Sequence, residues 1–505
     1  MFNIKSTRLF FYLILFGATV YFSWLLTNRY FPIEPDAANS PLVWRALLVE
    51  GFSVLKDWKP TPDNWYFTVY PINFIFFILT SSDGIAALTA STAFFVALTA
   101  TVLACLVYFT VRSWHAVLAL MCLLFLPAYL YTFGFVAHPF SHYSTNFFGA
   151  VCLGLSLINL KRNSSRLATV YSVISLLAAV SDPWFSATYF LPLLLVNGYF
   201  SWKKILSFKS TAIVFIAFIL AMTHVVPKLM GLPVQRFKLV PIEQWPINAE
   251  WTVHILGRSL NLFFIDNSLT WTASIIIWVC LTIWALFICL RQNNKTKFIT
   301  IFCILTISAI ISSFIISYDT PGEISARFFV NAVCFAVVLV TLLSSYSKNV
   351  IPGFVLILYF ASSLYSYHLH DKPLYDQKQQ TYDYIAFLEQ HNLTFGYADF
   401  WQMSNGVNWL SDGKIHITSV LFNDDFTIDF TSSRSQTMKS WLTEDFTRQA
   451  PKRQFISIPS IKSADLHSEG SLRVLAIETQ FGKPDQVLIY GNMTILIYNH
   501  PILIK

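Results

Sequence analysis

Two carboxylates, Glu34 and Asp36, sit two residues apart in Glu34-Pro35-Asp36, only a few positions after a long apolar segment from Leu9 to Leu26. Charges beside lipid are costly, so carboxylates at the mouth of a membrane helix mark either chemistry or a solvated helix end. A carboxylate within hydrogen-bond reach of a hydroxyl group takes its proton as that oxygen becomes a nucleophile. A neighbouring carboxylate can raise the pKa of the first, orient the acceptor or hold a divalent cation. By spacing alone the pair reads equally as a solvated loop.

Other candidates are scattered along the first two thirds of the chain: His138, His142, Asp182, His254, Arg258, Asp319, Glu323 and Arg327. His138-Pro139-Phe140-Ser141-His142 offers two histidines at i,i+4, a spacing that suits a metal or a phosphate, but no HExxH or acidic partner accompanies it. Arg327 opens an apolar segment on the side where arginine is disfavoured. A phosphate held bidentately would explain it, and so would an i,i+4 ion pair with Glu323. His254 and Arg258 share one helical face and form a weaker phosphate pair. The seven cysteines (105, 122, 152, 280, 289, 303 and 334) all fall in apolar segments, where they read as small buried hydrophobes rather than disulfide or metal ligands.

The elements that must position these residues follow from composition. Of 505 residues, 55% are hydrophobic and 12% charged, which excludes an ordinary soluble globule. Many apolar runs approach bilayer length and must be helical where no water can satisfy the backbone. Lys5 and Arg8 place the N-terminus in the cytoplasm, and the first run, followed by no small-residue cleavage site, reads as a retained anchor. Basic clusters at Arg112, 161–166, 203–209, 291–297 and Lys348 then fit about 11 spans: 9–27, 85–111, 115–134, 143–160, 167–182, 184–200, 211–227, 271–290, 298–317, 327–346 and 351–367. All 12 acidic residues before position 368 fall on the opposite side to 13 of the 22 basic ones, which supports this parity. Tyr70 to Thr80 is too short to span and reads as re-entrant or interfacial. Residues 28–84 then form one external loop, with Ser40 as N-cap and Pro41 in the first turn of an amphipathic helix from Leu42 to Leu55.

Composition changes near residue 368. From there on, 12 basic residues face 15 acidic ones, against 22 and 12 before. Helical character at Tyr382 to Gln390 is followed by β-rich runs at 415–422, 455–458, 487–490 and 494–498, the last two a hairpin about Gly491-Asn492. The expected architecture is a multi-pass α-helical membrane module, 1–367, with a small external C-terminal α/β or α+β domain, 368–505. No Walker A, GxGxxG, HExxH or EF-hand motif occurs, so nucleotide-driven chemistry is not expected, and no nucleic-acid partner is either.

At these residues the chain resembles the GT-C class of polytopic glycosyltransferases. That class carries an acidic motif in its first external loop, matched by Glu34-Pro35-Asp36, then amphipathic helices, matched by 40–58, and a proline-led stretch, matched by Tyr70-Pro71-Ile72-Asn73. Gly396-Tyr397-Ala398-Asp399-Phe400-Trp401 and Ala326-Arg327-Phe328-Phe329 are similar to segments of bacterial O-antigen-modifying, serotype-converting glucosyltransferases. The resemblance implies an inner-membrane enzyme with a periplasmic C-terminal domain. It implies inverting transfer of a hexose such as glucose from a polyprenyl-phosphate donor to a glycan or lipid-linked glycan of lipopolysaccharide. Asp36 or Glu34 would be the base and Arg327 would contact the donor phosphate. His138, His142, Asp182 and Arg258 complete the implied substrate set. No cofactor is implied beyond an optional divalent cation. The rival is a transporter or lipid-carrier flippase, which would place ionisable groups at mid-membrane. A phosphoethanolamine- or sulfate-type transferase would need a nucleophilic threonine and a metal cluster in the external domain, and no such cluster is found.

Overall fold

The computed structural model describes residues 4–139, 142–235, 237–370, 372–374, 376–459 and 469–502. Two compact units are formed. The helical unit holds Met1–Phe31, Pro62–Thr80 and Ile85–Leu374, and the sheet unit holds Pro32–Thr61, Ser81–Gly84 and Tyr375–Lys505. The segment carrying Glu34 and Asp36 therefore folds with the C-terminal region.

Among the described residues of the helical unit, five helices are long and apolar enough to cross a membrane: Phe11–Tyr30, Ile85–Val111, Tyr143–Arg162, Ser268–Cys289 and Asn294–Ser317. None contains an acidic residue. Several of their hydroxyl groups are satisfied internally. In Ile85–Val111 the Thr89, Thr92, Thr99 and Thr110 hydroxyls donate to the carbonyls of Ile85, Leu88, Phe95 and Leu106 one turn back. Six shorter apolar helices pack with them, including Ser165–Ser181, Phe208–Met222, Val330–Tyr346 and Ile351–Ser366. Val330–Tyr346 is the most enclosed, with nearly every side chain buried.

Several elements differ from the sequence expectation. Residues 115–134 are not one helix but two, His115–Leu124 and Ala128–Thr132. Pro127 lacks an N–H and its ring opposes the preceding turn. The freed groups find distant partners: the Tyr131 hydroxyl donates to Leu124 O, the Tyr367 hydroxyl to Leu126 O, and Ala128 N–H to the Ser366 hydroxyl. The expected span 184–200 starts in a wide five-residue turn, Ser186–Phe190, before Leu191–Trp202. The expected span 211–227 divides into Phe208–Met222 and Val225–Leu229, with His224 between them at φ 54°. Tyr70–Thr80 is an 11-residue helix, about 16 Å long against a hydrocarbon core of roughly 30 Å. Its approach is fixed by Asn64, which donates to Val180 O, and by the Ser181 hydroxyl, which accepts from Phe67 N–H.

The sheet unit is built on five strands in the order His416–Ser419, Phe395–Ala398, Gln454–Pro459, Met493–Tyr498, Gln486–Tyr490. The first three run parallel and the last two pair antiparallel. The final hairpin turns at Gly491, whose φ of +57° is the conformation a tight two-residue turn requires and glycine supplies without strain. Helices Lys378–Gln390 and Ser404–Leu410 cover the sheet. The N-terminal segment adds Pro35–Ala38, a 3₁₀ turn, and the helix Asn39–Glu50. Ser40 is thus inside a helix that begins one residue earlier, capped by the preceding turn rather than by a Ser40 side chain. Trp58–Lys59 pairs antiparallel with Thr437–Met438. Arg45 pairs with Asp83 and Asp412 and donates to Trp409 O, while Asp57 accepts from Ser440 N–H and its hydroxyl.

One close approach in the helical unit leaves no room for a side chain. A Cβ on Gly149 would fall 2.0 Å from the Tyr189 ring. Gly149→Ala must displace that buried ring, and we expect a loss of about 1–3 kcal/mol, read as a lowered melting temperature of the detergent-solubilised protein.

Candidate functional site

In the sheet unit, each residue of Glu34-Pro35-Asp36 has a separate backbone task. Glu34 is extended (φ −148°, ψ 173°) and caps the Pro35–Ala38 turn, its Oε2 accepting from Asp36 N–H at 3.0 Å. Pro35 opens the turn, where its missing N–H costs nothing. Asp36 stands in the first turn, half-buried, between the buried Pro35 and Ala37. Its Oδ1 accepts from Nε2 of Gln436, 400 positions later in the chain.

Gln436 was not anticipated from the sequence. It is buried and sits at φ 64°, a conformation that glutamine rarely adopts. Both ends of its side chain are used: Nε2 on Asp36, and Oε1 accepting from Asn39 Nδ2 at 3.0 Å. Both backbone groups are used as well, N–H donating to Lys59 O and the carbonyl accepting from Asn405 Nδ2. One residue thereby ties the acidic turn, the Trp58–Lys59 strand and the Ser404–Leu410 helix together. No local sequence signal marks it.

The other sequence candidates lie in the helical unit, and most of them fall into two clusters. His138 is buried, with its ring stacked on Phe31 at 5.4 Å between centroids. It precedes the Tyr143–Arg162 helix, whose N-cap is His142, so the two histidines do not share a helical face. Residues 140 and 141 of that motif lie outside the described residues. Among the described residues, no group of three or more histidine, cysteine, aspartate or glutamate side chains could hold a metal ion.

His142 and Asp182 do meet. His142 Nδ1 is 3.0 Å from Asp182 Oδ2, which also accepts from the Thr145 hydroxyl, while Asp182 Oδ1 accepts from Trp184 N–H. Burial opposes ionisation of Asp182. The charge and hydrogen bond of His142, with the Thr145 and Trp184 donors, outweigh it and hold the carboxyl below its ordinary value. The His142 ring stacks on Phe328 at 4.7 Å, and the neighbouring Arg327 guanidinium lies 5.0 Å from the same ring.

The second cluster surrounds Glu323. Its Oε1 is 2.7 Å from Arg258 Nη1 and 3.1 Å from His254 Nε2, and its Oε2 accepts from the Tyr129 hydroxyl at 2.6 Å. Arg258 also pairs with Asp266 at 3.2 Å and lies over the Tyr129 ring at 4.2 Å. Burial opposes the Glu323 charge, but the His254 and Tyr129 hydrogen bonds and the Arg258 charge pull its pKa down to about 2. His370, close to Arg258, is pushed below the ordinary histidine value by burial and by that cation.

This arrangement separates the two arginines. Arg258 is met by two carboxylates. Glu323 is committed to Arg258, so the i,i+4 pair with Arg327 does not form, and among the described residues no carboxylate pairs with Arg327. The Arg327 Nε is buried without a hydrogen-bond partner. A guanidinium left in this state is suited to an anion.

No family model matches the chain, and no curated protein matches it in sequence. Solved structures that it resembles include the oligosaccharyltransferase of Archaeoglobus fulgidus in complex with zinc and sulfate, at 12% identity and TM-score 0.47, over 88% of this chain and 68% of that one. The same enzyme tethered through a disulfide to an acceptor peptide containing the NVT sequon gives 11% and 0.46 over 89% and 69%, and its apo form 10% and 0.47 over 88% and 69%.

Two outcomes follow from the geometry. Gln436→Leu removes the hydrogen bonds to Asp36 and Asn39 and should cost about 1–3 kcal/mol in stability, with Gln436→Glu recovering the Asn39 contact but not the Asp36 one. Paired thermal melts of the two variants check this. Because the folded pKa of Glu323 lies below its ordinary 4.5, the stability it contributes is complete above about pH 4.5 and is lost as pH falls towards about 2. Glu323→Gln should flatten the acid limb of a melting-temperature profile over that window.

Proposed function

We propose that this chain is an inverting membrane glycosyltransferase of the GT-C type. It moves a hexose such as glucose from a polyprenyl-phosphate donor to a glycan or lipid-linked glycan acceptor, of the lipopolysaccharide O-antigen kind, on the periplasmic face of a bacterial inner membrane. The observation that supports this reading most is the treatment of Asp36. A carboxylate in a merely solvated loop has no use for a buried glutamine drawn from 400 residues away. Here the carboxylate is set in a capped turn and given a fixed donor.

In this reading Asp36 is the general base. The acceptor hydroxyl attacks the anomeric carbon and gives its proton to the Asp36 carboxylate. The bond from that carbon to the phosphate oxygen breaks on the opposite face, and polyprenyl phosphate leaves with the electron pair and the negative charge. Glu34, occupied as a cap, positions Asp36 rather than reacting. Arg327 takes the donor phosphate, with His142 held by Asp182 beside the same Phe328 ring. Arg258 is charge-paired with Glu323 and Asp266, so we assign it to holding its loop. His138 is packed on Phe31 and is assigned to packing. The sugar carries its own activation, so no nucleotide is needed, and any divalent cation would have to come to the Glu34-Asp36 segment. A transporter is less well supported, because no acidic residue lies within the five long helices.

Asp36→Asn should lower transfer by roughly 10²–10⁴-fold while the protein still inserts and melts normally. Arg327→Gln should raise the KM for the polyprenyl-phosphate sugar more than it lowers kcat, with Arg327→Lys only a partial rescue. The assay is release of polyprenyl phosphate together with the mass of the glycan product. Wild-type turnover in Asp36→Asn would overturn the assignment of the base.

A further inference from the structure

An apolar groove runs along the Ile85–Val111 and Tyr143–Arg162 helices, and none of the residues assigned above lines it. It has a volume of about 620 Å³ and is lined by Val102, Leu106, Val151, Gly154, Leu155 and Ile158 among others. Lys161, Arg162 and Lys295 stand at one end. A more open hollow of about 480 Å³ shares Phe109 and Lys295 and adds Arg112 to the same mouth. No acidic residue lines either space. Among the described residues, none of these four cations is paired with a carboxylate.

Helix stability explains two of the cations only. Lys161 and Arg162 are in the last turn of their helix, where the macrodipole favours them. Lys295 is in the first turn of Asn294–Ser317, where the dipole opposes it and no acidic residue compensates. An anion at the mouth would offset that opposition.

The dimensions choose the anion. Both lining helices run towards the basic end. From Thr101 to Phe109 on one, and from Val151 to Lys161 on the other, the groove extends about 12–15 Å at 1.5 Å per residue. That is half of a hydrocarbon core of roughly 30 Å, the depth of one leaflet. An unbranched acyl chain of a phospholipid fills such a groove with its phosphate at the mouth, whereas a long polyprenyl chain would overrun it. We propose that this groove is a binding site for an anionic phospholipid of the bilayer, with the headgroup phosphate on Lys161, Arg162 and Lys295 and one acyl chain against Gly154 and its neighbours.

The test is lipid retention by the full-length protein in detergent, read by native mass spectrometry against phosphatidylglycerol, phosphatidylcholine, a polyprenyl phosphate and inorganic phosphate. Phosphatidylglycerol should be retained over phosphatidylcholine. Each removed cation should weaken it roughly fivefold, and Lys161→Gln, Arg162→Gln and Lys295→Gln together about 100-fold. Removing three cations elsewhere, at Arg166, Lys203 and Lys204, should leave retention unchanged. Gly154→Leu should weaken retention with the headgroup contacts intact, because even a Cβ there comes within 3.3 Å of Leu106. Equal retention of phosphatidylcholine, preference for the polyprenyl phosphate, displacement by inorganic phosphate alone, or unchanged binding in the triple variant would each overturn the proposal.

Discussion

Three carboxylates of this chain are held by donors from distant segments, and those meetings decide where their loops lie. Asp182 is held by His142, Thr145 and Trp184, Glu323 by Tyr129, His254 and Arg258, and Asp36 by Gln436. In an interior this apolar, a charge with no donors would neutralise itself or move to water. Each carboxylate therefore fixes the segments that serve it. Arg327 departs from the pattern, having a cation's desolvation and no counter-charge among the described residues, which is why it carries the phosphate assignment.

The same need for partners governs the backbone. Pro127 interrupts a helix, and three side-chain contacts from Tyr131, Ser366 and Tyr367 close the gap. Such repairs show how non-helical backbone survives inside a helical unit: it is surrounded by protein that supplies the missing bonds.

Much of this was legible in the sequence. Long apolar runs such as Ile85–Val111 and Asn294–Ser317 leave one physical outcome, and the Gly491-Asn492 hairpin carries its own turn chemistry. Failures came where a local rule met a distant competitor. Ser40 has the chemistry of a cap, but the Glu34-Pro35-Asp36 turn begins the helix ahead of it. Glu323 and Arg327 have ideal i,i+4 spacing, but Arg258, 65 positions earlier, reaches the carboxylate first. The continuous run at 115–134 hid the consequence of a single proline. Gln436 was invisible because its significance lies wholly in a contact across 400 residues.

That separation has a consequence for biogenesis. Chains emerge at about 5–20 residues per second, so roughly 20–80 s pass between the appearance of Asp36 and that of Gln436. Throughout that interval the Asp36 carboxylate lacks its Gln436 contact and the Trp58–Lys59 strand lacks its partner, and for most of it Arg45 lacks Asp412. The nascent chain is thus assembled around a segment left waiting for its last hundred residues, and a ribosome stalled before position 436 would release a membrane protein with its acidic turn unset.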